Sequence, residues 1–398
     1  MKRFFSIFLS FVFILCPFKA FATETAEIYP FDAAMNEFWF APASTEYVSD
    51  GDAKALLLME FSTGKILFAE NEKEHLPIAS VTKVISTLLV MEALDSGKIS
   101  LDDVVTVSEH AASMGGSQIY LEPNETMSVD DLLKSLVVVS ANDATVALGE
   151  YICGSEDAFV AAMNKRSQEL GCENSNFVNT NGLPVEGQYS CALDVALITR
   201  ELMKHEKIFD YTGIWMDTIR NGTFGLANTN KLVRFYKGAT GMKTGFTGEA
   251  KYCLSGTAKR DGMHLISVVL GASTSEKRFA AAKGLLDYGF ANYSVVSPEI
   301  PELTPVSISR GVKNEVSVET KQVSVLLEKG ESTAVESKII IDEGIKAPIE
   351  EGMVLGRVQY YRNGAEVARE DITALESVNE VSYTSILFEI FKKIFFKK

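Results

Sequence analysis

Metal and redox chemistry would find little to use in this chain. It has four histidines and five cysteines. No histidines stand in an HExxH spacing and no cysteines in a CxxC spacing, so neighbouring ligands build no zinc site and the sequence calls for no cofactor. Positive charge is in deficit: 38 lysines and arginines face 53 aspartates and glutamates, for a formal charge of −15 at pH 7. That excludes general nucleic-acid binding, which needs a basic surface. Internal repeats and low-complexity segments are absent. With 46% hydrophobic and 23% charged residues, the composition is that of a globular protein rather than a disordered one.

Bilayer-length apolar runs are missing too. The run "FFSIFLSFVFIL" near the N-terminus is shorter, follows Lys2 and Arg3, and leads to the small residues of "AFA" at 20–22. This pattern predicts a secretory signal peptide over 1–22, and so an exported protein. Cys16 lies inside it, but Leu15 is not the small residue that a lipoprotein signal carries. Losing Lys2, Arg3 and Lys19 leaves the mature chain three units more negative than −15. Cys153, Cys172, Cys191 and Cys253 remain. Export permits disulfides, but a core of this size folds without them, and buried free thiols are expected.

"AKALLLME" and "KILFAE" around "STG" read as a hairpin over about 54–69. A helix is predicted from Ser80 to Leu94, ended by Gly97. Residues 101–210 are mainly helical in pattern, with apolar residues at helical spacing in "VDDLLKSLVVV" and "EDAFVAAMNKRSQEL". Strands return over 222–272, and "SEKRFAAAKGLLDYGF" closes the region as a helix. Strands at both ends with helices between them predict an α+β fold, the helical part inserted into an antiparallel sheet. Pro298, Pro301 and Pro305, three of the ten prolines, then mark a linker over 296–303. Period-two segments and the Asn363-Gly364 turn predict a small all-β domain over 304–376.

The last stretch, 382–398, is too short and too charged to span a bilayer. Wound as a helix, it puts Ile386, Leu387, Ile390, Phe391, Ile394 and Phe395 on one face and Glu389, Lys392 and Lys393 on the other, with Lys397 and Lys398 at the end. Such an amphipathic helix lies in the membrane interface beside anionic headgroups.

One lysine is out of place. In "HLPIASVTKVIS", residues 75–86, Ser80 and Lys83 stand three apart where an apolar helix begins, so their side chains are neighbours. Alone, SxxK reads as a cap serine and a snorkelling lysine. "VVVSANDA" adds Ser140 and Asn142 just past an apolar helix. "GMKTGFTGEA" adds Lys243-Thr244-Gly245 at the start of a predicted strand. Each is weak singly; in this order, about 60 and then about 100 residues apart, the set is specific.

The set resembles the penicillin-recognising serine enzymes, β-lactamases and penicillin-binding proteins. "IASVTKVISTLLVMEAL", "GKISLDDVVTVS", "VVSANDATVAL", "FVNTNGLP" and "TNKLVRFYKGATGMKTGFTGEAKYCLSGTAKRDG" are similar to the secreted D-alanyl-D-alanine carboxypeptidases, the low-molecular-weight penicillin-binding proteins. The similarity covers about 50–290, and the β domain and terminal helix match that family's layout. It implies a β-lactamase/transpeptidase-like sheet in a penicillin-binding domain over 23–295. One departure is visible: Gln188 stands where the family usually has histidine.

The resemblance implies roles that the chemistry can support. Ser80 would attack the carbonyl between the last two D-alanines of a peptidoglycan stem peptide and form an acyl-enzyme; β-lactam antibiotics would acylate the same atom. Lys83 would take the proton. At its ordinary pKa of about 10.4 a lysine is no base at neutral pH, but burial and a second cation, Lys243, both lower that value. Ser140 would pass a proton to the departing D-alanine, and Asn142 would position Lys83 and the substrate amide. Lys243 and Thr244 would hold the terminal carboxylate, and Gly245 would let the strand come close. The backbone N–H groups of Ser80 and Phe246 would form the oxyanion hole, each worth about 3 kcal/mol in the transition state. Partners would be the stem peptide, β-lactams and the membrane surface, with no nucleic acid, at the outer face of the bacterial cytoplasmic membrane.

Three rivals share parts of this reading. A class A β-lactamase needs a glutamate for the deacylating water, and no ExxLN-like segment follows Ser140. A transpeptidase or endopeptidase differs only in its acceptor, and the short architecture favours water. A non-catalytic wall-binding protein would have no need of Ser80, Lys83 and Lys243 together.

Overall fold

The computed structural model describes residues 47–330 and 334–382, together with Thr384, Leu387, Ile394 and Phe395. The signal segment at 1–22 and most of the terminal segment at 382–398 lie outside the described residues. The central sheet has five antiparallel strands in the order Ile66–Glu70, Ala55–Glu60, Met263–Ala272, Lys251–Arg260, Ala239–Thr247. Strands from both ends of the region share one sheet, and the helices lie between them in sequence. This is the expected α+β arrangement.

The strand "ALLLME" is buried at every position because both faces of the sheet are covered. Successive side chains point to opposite faces. Leu57 and Met59 join the core of the inserted helices. Leu56 and Leu58 pack instead with Phe279, Leu285 and Leu286 of the closing helix Ser275–Asn292. The helix Lys83–Asp95 is buried on every side along most of its length, as a helix apolar all round must be.

Two expectations change in detail. The helix begins at Lys83, not Ser80; Ala79–Thr82 forms a 3-10 turn before it. Ala79 has φ 48°, a left-handed conformation costing an L-residue about 1–2 kcal/mol, imposed where a neighbouring loop packs on it. The Lys243-Thr244-Gly245 segment lies in the middle of its strand, Ala239–Thr247, rather than at its start. That strand is the sheet's edge, so one side of it pairs with nothing in the sheet.

Beyond the closing helix, Tyr293–Val296 pairs antiparallel with Val325–Glu328, while residues 297–305 take no regular structure. Four further strands form an all-β unit in the order Val318–Thr320, Ala365–Ala374, Val354–Arg362, Glu336–Ile341. Asn363 and Gly364 have φ 48° and 78°, the positive pair that a two-residue hairpin turn requires. The four cysteines among the described residues are free; Cys172, Cys191 and Cys253 are buried, and Cys153 is only half-buried. No helix among the described residues is long and apolar enough to cross a membrane.

Candidate active site

Lys83 lies at the centre of a small polar network inside the apolar core. Its side chain has no exposure. Nζ donates to Ser80 Oγ at 3.1 Å, to Asn142 Oδ1 at 2.6 Å and to the backbone carbonyl of Asn181 at 2.8 Å. Burial and then the positive charge of Lys243 hold this amine well below the ordinary lysine pKa; the Asp143 carboxylate opposes them without prevailing. An amine so placed is able to be neutral and to accept a proton.

Each partner of Lys83 is itself fixed. Asn142 opens the helix Asn142–Cys153; its Nδ2 donates to the Gly115 carbonyl at 2.6 Å and its backbone N–H to the Ser117 carbonyl at 2.7 Å. With the amide nitrogen committed, Oδ1 is left to face Lys83. Ser140 has φ 64°, which breaks the chain between two helices and carries its side chain away from either helical path. Its Oγ is buried with no hydrogen-bond partner. An unsatisfied buried hydroxyl costs about 1–3 kcal/mol, and such strain is found where a side chain is held ready for a ligand.

The edge strand closes the other side. A Cβ on Gly245 would stand 2.6 Å from the Ile78 carbonyl oxygen and 3.0 Å from the Ser80 nitrogen, so only glycine allows the strand against the Ala79–Thr82 turn. Lys243, two residues earlier on the same face, is buried, with Nζ donating to the Thr244 carbonyl at 3.0 Å. Burial, then the nearby Arg278, brings its pKa down to about 7. Thr244 Oγ1 pairs with Thr229 Oγ1 at 2.6 Å. Phe246 is 54% exposed, and its ring packs on Tyr252, ring centroids 4.4 Å apart.

Several contributors carry no role in the sequence reading. The Asn181 carbonyl belongs to a loop pinned at several points. Glu156 Oε1 accepts from the Thr180 N–H at 3.1 Å and hydroxyl at 2.8 Å. Gln188 Oε1 accepts from the Val178 and Asn179 N–H groups at 3.0 and 2.9 Å, so the residue at the departing position braces the loop. Gly182, with φ 84°, lies where a Cβ would be 1.9 Å from the Ala79 carbonyl oxygen. Behind the edge strand, Arg278 Nη1 donates to the carbonyls of Gly245 and Cys253, both at 3.1 Å. The only advance signals are the resemblance segments, "FVNTNGLP" for the loop and "TNKLVRFYKGATG" for Thr229; nothing in the sequence marks Glu156 or Arg278.

Comparison with known proteins bears on most of the chain. The D-alanyl-D-alanine carboxypeptidase family model matches residues 42–274, and the model of the penicillin-binding protein 5 C-terminal domain matches 299–380. The D-alanyl-D-alanine carboxypeptidase DacF of Bacillus subtilis is 43% identical over 343 residues, 84% of this chain and 88% of that protein. DacC of Escherichia coli, also a D-alanyl-D-alanine carboxypeptidase, is 34% identical over 360 residues, 86% and 88% of the two chains. Among solved structures, penicillin-binding protein 5 from Haemophilus influenzae has a TM-score of 0.71 at 33% identity, covering 83% of this chain and 98% of that one. Penicillin-binding protein D2 from Listeria monocytogenes, in its ampicillin-bound form, has 0.55 at 34% identity, covering 60% and 98%. Identity at this level, over nearly the full length of both partners, extends to the catalytic region and the β domain alike: the chain belongs to the D-alanyl-D-alanine carboxypeptidase family.

Proposed function

We propose that the chain is a serine-type D-Ala-D-Ala carboxypeptidase that removes the terminal D-alanine from peptidoglycan stem pentapeptides, and that penicillin acylates the same serine. Ser80 Oγ attacks the carbonyl carbon between the last two D-alanines while the neutral Lys83 amine takes the hydroxyl proton. The oxyanion that forms is held by the backbone N–H groups of Ser80 and Phe246. As the C–N bond breaks, Ser140 relays a proton to the departing amine, and D-alanine leaves. Water then hydrolyses the ester and frees Ser80. Asn142 orients Lys83, and Lys243 with Thr244 holds the substrate's free carboxylate. The observation that supports this most is the fully buried Lys83 amine 3.1 Å from Ser80 Oγ.

The test is direct measurement of D-alanine released from a pentapeptide ending in D-Ala-D-Ala, as a function of pH. Lys243 holds a carboxylate as an ammonium, and its pKa is about 7. Its hold is therefore complete below that pH and lost above it. The expected kcat/KM falls above about pH 7 by up to about tenfold per unit, with the loss appearing in KM. No D-alanine at any pH refutes the activity; a flat KM refutes the role of Lys243.

We also assign the protein to the outer face of the cytoplasmic membrane, held there by residues 382–398. In this segment Leu387 and Ile394 are 65% and 66% exposed, as apolar residues meant for another surface would be. Deleting 382–398 should release the protein from membranes while hydrolysis of a soluble peptide continues unchanged. Truncated protein that still sediments with membranes at high salt rules out this anchor.

A further inference from the structure

Beside Asn142 the core holds a negative charge. Asp143 has no exposure, and it enters no ion pair among the described residues. Its carboxylate accepts from the Ile119 N–H at 3.1 and 3.2 Å, from the Leu121 N–H at 3.1 Å and from the Ala144 N–H at 2.9 Å. Every one of these partners is a donor, as an ionised carboxylate requires. A buried carboxylate that meets only neutral dipoles is destabilising.

Part of its task is structural. Asp143 lies in the first turn of the helix Asn142–Cys153, and it ties down the loop whose Gly115 and Ser117 carbonyls fix Asn142. The other part is electrostatic. Lys83, bonded to Asn142 Oδ1, must become an ammonium when it takes the Ser80 proton. That charge forms in a dry site with Lys243 beside it.

Two charges act on the amine: Lys243 opposes its protonation, and Asp143 favours it. The other charges nearby are engaged elsewhere. Arg278 lies behind Lys243 and donates to the Gly245 and Cys253 carbonyls. Arg220, across the 119–121 loop, donates to the Ile119 carbonyl at 2.7 Å and pairs with Glu125. Glu156, beyond Thr180, pairs with His110. With water excluded, a unit charge acts over several ångströms with little screening.

Resting on the acyl-enzyme reading above, we infer that Asp143 is the fixed counter-charge for the ammonium that Lys83 becomes as it takes the Ser80 proton. The proton passes from Ser80 Oγ to Lys83 Nζ while the bond from Oγ to the carbonyl carbon forms; Asp143 neither gains nor loses one. Lys243 keeps the amine neutral before attack, and Asp143 lowers the cost of charging it during attack. Because it touches no reacting atom and acts through Lys83, Asp143 is a positioning residue.

Two variants separate charge from shape. Asp143→Asn keeps the shape and removes the charge; Asp143→Glu keeps the charge and disturbs the packing. Stopped-flow acylation by benzylpenicillin is followed against pH, with rates counted per molecule acylated so that unfolded protein does not enter. The profile is a bell whose acid limb reports Lys83 and whose alkaline limb, near pH 7, reports Lys243.

In Asp143→Asn the amine is a weaker base. The acid limb should move about one unit to lower pH, and the plateau should fall about threefold. The alkaline limb should stay, and the shift should persist at high salt, as between buried charges. In Asp143→Glu the acid limb should keep the parent's position even where the plateau falls. An acid limb that does not move in Asp143→Asn, or that moves as far in Asp143→Glu, leaves only the bracing of the loop and overturns the inference. A parent that takes up no penicillin refutes the acyl-enzyme reading itself, and this role with it.

Discussion

Ser80→Ala is expected to take up no labelled penicillin at all while folding as the parent does. The described partner of the Ser80 hydroxyl is Lys83 Nζ at 3.1 Å, and a net hydrogen bond is worth about 1 kcal/mol. The Ala79–Thr82 turn is held by much more than that, since Gly245 and Gly182 both pack on its backbone. Covalent uptake, in contrast, depends wholly on the oxygen. The other serine of the site, Ser140, has no hydrogen-bonded base to activate it. Intact-mass spectrometry after incubation should show the parent gaining the mass of one antibiotic molecule and the variant gaining none. A variant that still gains that mass places the nucleophile elsewhere.

Lys83→Ala should slow acylation by about 10²–10⁴-fold, the usual contribution of a positioned general base. An ordinary lysine is neutral in only about one molecule in 2,500 at pH 7. Lys83 escapes that limit because water is excluded from it and Lys243 repels its proton. Without the amine, Ser80 must attack as an unassisted hydroxyl. The fold should survive, because the helix is also anchored by Val84, Ile85, Leu88, Val90 and Met91, all buried. Stopped-flow acylation gives the rate, and circular dichroism with a thermal melt establishes that the variant is folded. The acid limb of the parent's acylation profile, which reports protonation of Lys83, should disappear in the variant. Acylation near the parent rate would remove Lys83 as the base.

Much of the architecture is legible in the sequence. The apolar runs "AKALLLME" and "KILFAE" on either side of "STG" and the Asn363-Gly364 turn are local signals, and they produce local structure. The helical spacing of "VDDLLKSLVVV" likewise becomes the helix Val129–Val138. The boundary at Ser80 was not legible. Its 3-10 turn depends on a left-handed Ala79, and an alanine carries no sign of that conformation. The edge strand was read as beginning too late because Thr240 and Gly241 interrupt its apolar pattern, whereas the strand is defined by pairing with Lys251–Arg260.

The chemistry divides along the same line. Ser80, Lys83, Ser140, Asn142, Lys243, Thr244 and Gly245 stood out because side-chain identity and order are properties of the sequence. Asn181 did not, since what it offers Lys83 is a backbone carbonyl and every residue has one. Glu156, Gln188, Thr229 and Arg278 act at one remove, bracing a loop or a strand, and their residue types occur throughout any surface.

By itself, then, the sequence determined which reactive groups are present, in what order, and on what kind of element. Only the tertiary structure decided that an amine would be dry, close to a second cation and within reach of one hydroxyl. Proton affinity is set by exclusion of water and by neighbouring charge, and both are supplied here by residues far away along the chain.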